Sequence, residues 1–97
     1  MLISFIVGFA IGAIIGAVID ICIDVYNEWL SSQRAKELAA RETGKKISKL
    51  CVDNLKKNAE YGETIDVRAF DENNDLIANI TYNASKGSAL YQGQTIY

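Results

Sequence analysis

The chain has 97 residues, a formal net charge of −2, two cysteines, and no histidine or proline. This length suits one small domain, and the acidic balance argues against nucleic-acid binding, for which a basic excess is usual. Two cysteines without a histidine provide neither a disulfide framework nor the usual set of zinc ligands, so we expect no metal and no cofactor.

The amino-terminal stretch is apolar and contains no charged residue before Asp20. Nineteen residues in a helix would extend roughly 28 Å, close to the roughly 30 Å hydrocarbon core of a bilayer. We therefore predict a transmembrane helix over residues 1–25, with the lipid membrane as a partner and the cell membrane, inner or plasma, as the location. A cleaved signal peptide is the alternative, but the run lacks a basic start and a cleavage site with small residues.

Small residues recur at every fourth position of the apolar run, at Ser4, Gly8, Gly12 and Gly16. We call these four residues the small-residue strip. Such spacing is typical of membrane helices that pack closely, because small side chains let two backbones approach each other. The strip predicts a homo-oligomer or pairing with another membrane protein. The alternative is that the glycines only reflect their general frequency in membrane helices.

With no proline to interrupt it, the helix is predicted to leave the membrane and continue as a solvated stalk over residues 26–43. Tyr26 and Trp29 occur where amphipathic aromatic side chains favour the interface between membrane and water, and we predict them as interface anchors. Gly44 suits the end of the helix, because glycine readily adopts the left-handed conformation found there.

Residues 44–97 are predicted to form a small α+β unit that begins with a second helix over residues 45–61. Apolar residues recur there at three- and four-residue spacings, and lysines occupy the opposite face. One side of this helix is therefore expected to pack on an apolar surface. The apolar set is Ile47, Leu50, Cys51 and Leu55.

After Gly62 the apolar residues alternate with polar ones, which predicts strands at residues 64–70 and 75–82. The connector between them is rich in Asp and Asn, which favours an antiparallel hairpin. Residues 88–97 could add one or two short strands. The predicted fold is therefore a membrane-anchored α+β protein: one amino-terminal transmembrane helix extending into a solvated stalk, a second helix, and a small antiparallel β-hairpin or sheet.

The charges around the apolar run predict its orientation. Basic residues follow the run and none precedes it, so the positive-inside rule places residues 44–97 in the cytoplasm. Asp20, Asp24 and Glu28 continue the four-residue spacing of the small-residue strip. We interpret these three carboxylates as the polar border of the membrane helix, with the mouth of a pore as the alternative.

The sequence contains no motif that indicates catalysis, such as a nucleophile elbow or a phosphate loop, and we expect no enzyme activity. Asp71, Asn73 and Asp75 resemble the first ligands of a calcium loop. That loop needs glycine at its sixth position, where this chain has Leu76, so we predict a hairpin turn instead.

These features favour a small single-pass membrane protein that self-associates or binds a partner membrane helix through the strip, and presents its cytoplasmic α+β unit to a partner. One alternative is a holin-like or other pore-forming membrane protein. Another is a subunit of a filament or assembly in which the apolar helix is buried between copies. The layout resembles type IV pilin-like subunits in outline, although no basic leader precedes the apolar run, and the build is similar to that of small bacteriophage membrane proteins, holins included.

Overall fold

The computed structural model describes residues 16–24, 29–58 and 62–97. Its elements, in chain order, are β1 (Ala17–Ile23), α1 (Ser32–Thr43), β2 (Lys49–Asn58), β3 (Gly62–Phe70), β4 (Leu76–Ala84) and β5 (Thr95–Ile96). Within the described ranges the strands form one sheet in the order β1-β4-β3-β2-β5. Strand β1 runs parallel to β4, and the other neighbours are antiparallel.

Strands β3 and β4 form an antiparallel hairpin, and the strands predicted at residues 64–70 and 75–82 correspond to them. Buried and more exposed side chains alternate along β3, as expected for a sheet that is covered on one face. In the turn, Asp71 Oδ1 accepts hydrogen bonds from the backbone N–H groups of Asn73 and Asp75, each at 2.9 Å. The Asp71 carboxylate therefore closes the turn.

The helix predicted over residues 45–61 is wrong. Residues Lys49–Asn58 form β2, which pairs with β3 along most of its length and with β5 on its other side. Pairing on both sides satisfies backbone groups that a helix would bond internally, so tertiary context outweighs the local apolar spacing. Residues 59–61, the end of the predicted helix, lie outside the described ranges.

A β-bulge in β2 explains why its sequence resembles a helix. The pairing register shifts between Val52 and Asn54, which leaves Asp53 as the extra residue of the bulge. The side chains that face the core are Leu50, Val52 and Leu55, separated by two and then by three positions. A spacing of three also occurs on one face of a helix, so the bulge produces a helix-like pattern within a strand.

The membrane-anchored fold is also wrong. Residues 17–23 of the predicted transmembrane helix form strand β1, and no helix in the described ranges is both long enough and apolar enough to cross a bilayer. Residues 1–15, the rest of the apolar run, lie outside those ranges. The predicted single span and membrane location depend on this helix and are contradicted by the same finding. The predicted cytoplasmic placement of residues 44–97 depended on that membrane span and is no longer supported.

The physical reason for the strand lies in the alternation of its side chains. Ile21 and Ile23 are buried in the core, whereas Val18, Asp20 and Cys22 between the apolar positions are exposed. This period of two fits a strand with one covered face. Pairing with β4 over the whole length of β1 then satisfies one side of its backbone.

Helix α1 lies within the predicted stalk at residues 26–43, but it packs against the sheet instead of standing free in solvent. Its buried side chains are Ala35, Leu38, Ala39 and Thr43. At its start, Ser31 Oγ accepts a hydrogen bond from the Arg34 backbone N–H at 3.1 Å. At its end, Gly44 adopts φ 68° and its N–H donates to the carbonyl oxygen of Ala40, as the sequence predicted for this glycine.

The core lies between α1 and one face of the sheet. Its largest fully buried side chains come from the three central strands and from the residue before the helix cap: Tyr82, Leu30, Leu50, Ile65, Ile80 and Val67. The Tyr82 hydroxyl donates a hydrogen bond to the Ala35 carbonyl oxygen at 2.5 Å, which joins β4 to the helix. Of the short strands predicted within residues 88–97, β5 is present as two residues beside β2.

Candidate functional site

Strand β1 is an edge strand of the sheet. One side of β1 pairs with β4, from Ala17 opposite Ala78 to Ile23 opposite Ala84, and no strand in the described ranges pairs with the other side. An edge strand presents a row of backbone N–H and C=O groups that can bond to another extended chain. At the opposite edge, β5 has only two residues and pairs with Leu50 and Cys51 of β2. The longest continuous open edge in the described ranges is therefore that of β1, with seven residues.

A cleft of about 380 Å³ lies between β1 and α1. This volume falls within the range of ligand-binding clefts in proteins. Buried apolar side chains form part of the lining, contributed by Ile21 and Ile23 of β1 and Leu38 of α1. The remaining lining residues are Asp20, Cys22, Asp24, Arg34, Arg41 and Glu42. The cleft thus has a mainly polar lining with a few buried apolar side chains, and it lies beside the open edge of β1.

Charges of both signs surround the apolar part of the cleft. Arg34 and Arg41 lie seven positions apart on α1, with Leu38 between them, so all three share one face of the helix. Arg34 Nη1 contacts Glu37 Oε1 at 3.3 Å. Asp20 of β1 also borders the cleft, but it alternates with the buried Ile21 and is exposed. This mixture suits a ligand with polar groups along a backbone and apolar side chains, and it does not select a simple anion or cation.

In the described part of the chain, two pKa shifts have clear causes, and neither group belongs to the lining of the cleft. Burial raises the pKa of the Tyr82 hydroxyl, which lies in the core. The hydrogen bond from Arg68 Nε to Asp53 Oδ2, 2.7 Å long, raises the pKa of Arg68, and the charge of Asp53 adds to the effect. Within the described part of the chain, no cluster of three or more His, Cys, Asp or Glu residues could hold a metal ion.

Among the site residues predicted from the sequence, the two that the structure describes, Gly16 and Trp29, do not line this cleft. Ser4, Gly8 and Gly12 of the small-residue strip and the anchor Tyr26 lie outside the described residues. Gly16, the last member of the strip, precedes β1 with φ 76°, and its N–H donates to the Ile77 carbonyl oxygen at 3.0 Å. The second anchor, Trp29, is 54% exposed and lies two residues before the Ser31 helix cap. The structure does not bring these two described residues together.

The sequence contained local patterns for the two elements that form the cleft, although the apolar run was interpreted as a membrane helix. Ile19, Ile21 and Ile23 alternate with polar or exposed residues, which indicates a strand, and the Arg34, Leu38 and Arg41 spacing indicates one helical face. What the sequence alone does not provide is the proximity of these two patterns. Cys22, also in the lining, is a free, exposed thiol.

Comparison with known proteins gives no relative for this chain: no protein family, no curated protein and no solved structure matches it. A function can therefore be inferred only from the geometry of β1 and α1. The relevant properties are the open backbone edge of β1, the apolar residues of the cleft, and the charged residues around them.

Proposed function

We propose that this protein is a binding module, not an enzyme, and that it captures an extended segment of a protein by adding that segment as a strand to the free edge of β1. The observation that supports this proposal is the position of the open β1 edge directly beside the cleft with α1. In strand addition, main-chain hydrogen bonds provide affinity, and pockets for alternate side chains provide specificity. The net charge of −2 makes a nucleic acid an unsuitable ligand.

The length of β1 sets the strength of such binding. The strand has seven residues, and the groups on its outer edge can bond to a segment of similar length. Each new hydrogen bond contributes about 0.5–1.5 kcal/mol net. Association and ordering of the segment oppose this gain. Side-chain contacts of the segment with the rest of the protein must therefore add to the binding, at about 25 cal/mol per Å² of apolar surface removed from water. Ile21, Ile23 and Leu38 are each only 7% exposed and leave little surface to cover.

The charges along β1 limit which segments can bind. Asp20 lies in the middle of the strand, and charged residues on an edge strand hinder indiscriminate pairing. A segment that places an acidic residue opposite Asp20 meets like-charge repulsion, whereas an uncharged or basic residue does not. We therefore expect ligands that are extended and apolar on one face, without acidic residues at the centre.

Cys22 provides a native probe for this proposal because it is exposed and lies on β1 itself. Cys51 lies on β2 and serves as an internal control, since β4 and β3 separate it from β1. A displayed library of random ten-residue peptides would be selected on the full chain. Alkylation of Cys22 is then measured in the Cys51→Ser variant, and alkylation of Cys51 in the Cys22→Ser variant, with and without each selected peptide.

A peptide that binds as proposed is expected to slow Cys22 alkylation at least tenfold and to leave Cys51 alkylation unchanged. A matched control is the same peptide with backbone N-methyl groups on alternate residues, which removes hydrogen-bond donors without changing the side chains. One of the two alternating N-methyl patterns should abolish the protection. If Cys22 reacts as fast with every selected peptide as without it, the edge binds no segment and the proposal is wrong.

A further inference from the structure

We infer that the segment captured by β1 carries a lysine or an arginine at the position that pairs with Asp20, the central residue of this strand. This inference rests on the proposed function, because it specifies the ligand of the same edge. Three features of Asp20 support it: the direction of its backbone groups, the face of the sheet on which its side chain lies, and the charges on that face.

The backbone groups of Asp20 belong to the open side of β1. At the end of the pairing with β4, the carbonyl oxygen of Ile23 accepts a hydrogen bond from the N–H of Ser85 at 3.1 Å. Along a strand, the N–H and C=O groups of one residue point to one side, and those of the next residue point to the other. Counting back from Ile23, the groups of Val18, Asp20 and Cys22 therefore point away from β4. Asp20 is the middle one of three residues that can bond to an added strand.

The side chain of Asp20 lies on the face of the sheet away from α1. It is exposed, whereas the next residue, Ile21, is 7% exposed and belongs to the core. Residues directly opposite each other in neighbouring strands place their side chains on the same face. The residue of the segment that pairs with Asp20 therefore lies on this open face, and its two neighbours in the segment point towards α1. We call this face of β1 and β4 the outer face, which is formed by Val18, Asp20, Cys22, Asn79, Thr81 and Asn83.

The outer face is acidic beside the open edge. Asp20 pairs with Thr81 of β4, and Thr81 pairs with Asp66 of β3, so the three residues form one row across the sheet. The Thr81 hydroxyl donates to Asp66 Oδ1 at 2.8 Å, which fixes a second carboxylate two strands away from Asp20. Neither β1 nor β4 contains a basic residue. The basic residue of β3, Arg68, is bonded to Asp53 Oδ2 at 2.7 Å.

A basic residue opposite Asp20 complements this charge. An opposite-charge pair across two strands should tighten binding by about 1.5- to 5-fold relative to a neutral residue, and a like-charge pair should weaken it by a similar factor. A segment with lysine at this position is therefore expected to bind about tenfold more tightly than the same segment with glutamate. Added salt should reduce the difference, because the pair is exposed. The ligand class is an extended segment with a basic residue at its centre.

Disulfide crosslinking first identifies the peptide residue that pairs with position 20. A ten-residue peptide from the selection described above is prepared with cysteine at each position in turn. Each version is oxidised with the full chain carrying Asp20→Cys, Cys22→Ser and Cys51→Ser, so that the chain has one thiol. Strand pairing predicts the highest yield at one peptide position and lower yields two residues away. Equal yields at all positions would mean that the peptide does not add as a strand, which contradicts the proposed function.

The affinity of the unaltered chain is then measured by fluorescence polarisation for peptides with lysine, glutamine or glutamate at the paired position. We expect lysine to bind most tightly and glutamate least tightly. The same three substitutions at the next peptide position, whose side chain points towards α1, are the control and should not give this order. Equal affinities of the three peptides at the paired position would overturn the inference.

Variants of the chain test whether Asp20 causes the preference. Asp20→Lys is expected to reverse the order, so that the glutamate peptide binds most tightly. Asp20→Asn, which keeps the size of the side chain, should bring the lysine and glutamate peptides within about twofold of each other. Glu72→Lys, at an exposed position in the turn between β3 and β4, changes the net charge as much as Asp20→Lys and should leave the order unchanged. A full lysine preference in the Asp20→Asn chain would also overturn the inference.

These measurements separate the inference from the proposed function. If peptides crosslink to position 20 and protect Cys22 but show no preference for lysine, the edge binds segments and only the inferred chemistry of the ligand is wrong. If no peptide protects Cys22, the proposed function is wrong, and the inference is overturned with it.

Discussion

Replacing Tyr82 with phenylalanine is expected to lower the free energy of unfolding by about 0.5–1.5 kcal/mol near neutral pH, the usual net contribution of one hydrogen bond. The side chain of Tyr82 is 0% exposed, and its hydroxyl donates to the Ala35 carbonyl oxygen at 2.5 Å. Phenylalanine keeps the buried ring, so the change removes the hydroxyl and little packing. The Ala35 carbonyl oxygen still accepts the α-helical hydrogen bond from the backbone N–H that lies four residues later in α1.

The effect of Tyr82→Phe should depend on pH, with a sign fixed by burial. Burial raises the pKa of Tyr82, because the ionised form is disfavoured in the core. In the unfolded chain the hydroxyl ionises near pH 10. The contribution of Tyr82 to stability is therefore fully present below about pH 10 and is lost as the pH rises towards the folded-state value, at about 1.4 kcal/mol per pH unit. A difference of about 1 kcal/mol between the two chains should disappear close to pH 11.

Urea unfolding followed by circular dichroism at about pH 8 and about pH 11 measures this difference. Tyr97→Phe is the matched control, because Tyr97 is 84% exposed and its replacement should have little effect at either pH. Absorbance of tyrosinate should also show one tyrosine that ionises only when the chain unfolds. A Tyr82→Phe effect of the same size at both pH values would refute the reasoning, because it would mean that the hydroxyl ionises equally in the folded and unfolded states.

Four further sets of changes test the fold. Gly62→Ala should cost more than about 3 kcal/mol or prevent folding, because Gly62 has φ 100° and a Cβ there would overlap the backbone of the neighbouring strand. Gly93→Ala, at φ 87° but facing open space, should cost only about 1–2 kcal/mol by thermal unfolding. Ser31→Ala should cost about 1 kcal/mol in urea unfolding, because it removes the helix cap, and Ser31→Asp should retain most of the stability. A double-mutant cycle of Arg68→Ala and Asp53→Ala should give a coupling of about 0.2–1 kcal/mol that decreases with added salt, as for exposed ion pairs.

How much of this fold could be predicted from the sequence depends on how regular each strand is. The central hairpin was accessible, because apolar and polar residues alternate along β3 without interruption and Asp71 marks the turn. Strand β2 could not be predicted as a strand, because its bulge at Asp53 changes the spacing of buried residues from two to three. A single inserted residue can therefore make a strand resemble a helix when only one face is considered.

The error at β1 has a different origin. Its alternation of Ile19, Ile21 and Ile23 with exposed residues was present in the sequence, but the uncharged residues that precede it extended the apolar run to the length of a membrane span. The decisive contact is with β4, about sixty positions later, and no local pattern indicates it. For the same reason the cleft could not be predicted, since it requires β1 and α1 to lie side by side on one sheet.

The long separation between β1 and its partner also controls when the binding edge can exist. During synthesis, residues 17–23 leave the ribosome before β4, which is complete only after residue 84 has been added. The hairpin of β3 and β4 forms from neighbouring residues, whereas closing the long loop to β1 costs more entropy and is a later event. An unfinished chain therefore offers β1 as an isolated strand with no stable edge to extend. The strand addition that we propose for β1 therefore requires a chain in which β4 has been made and has paired with β1.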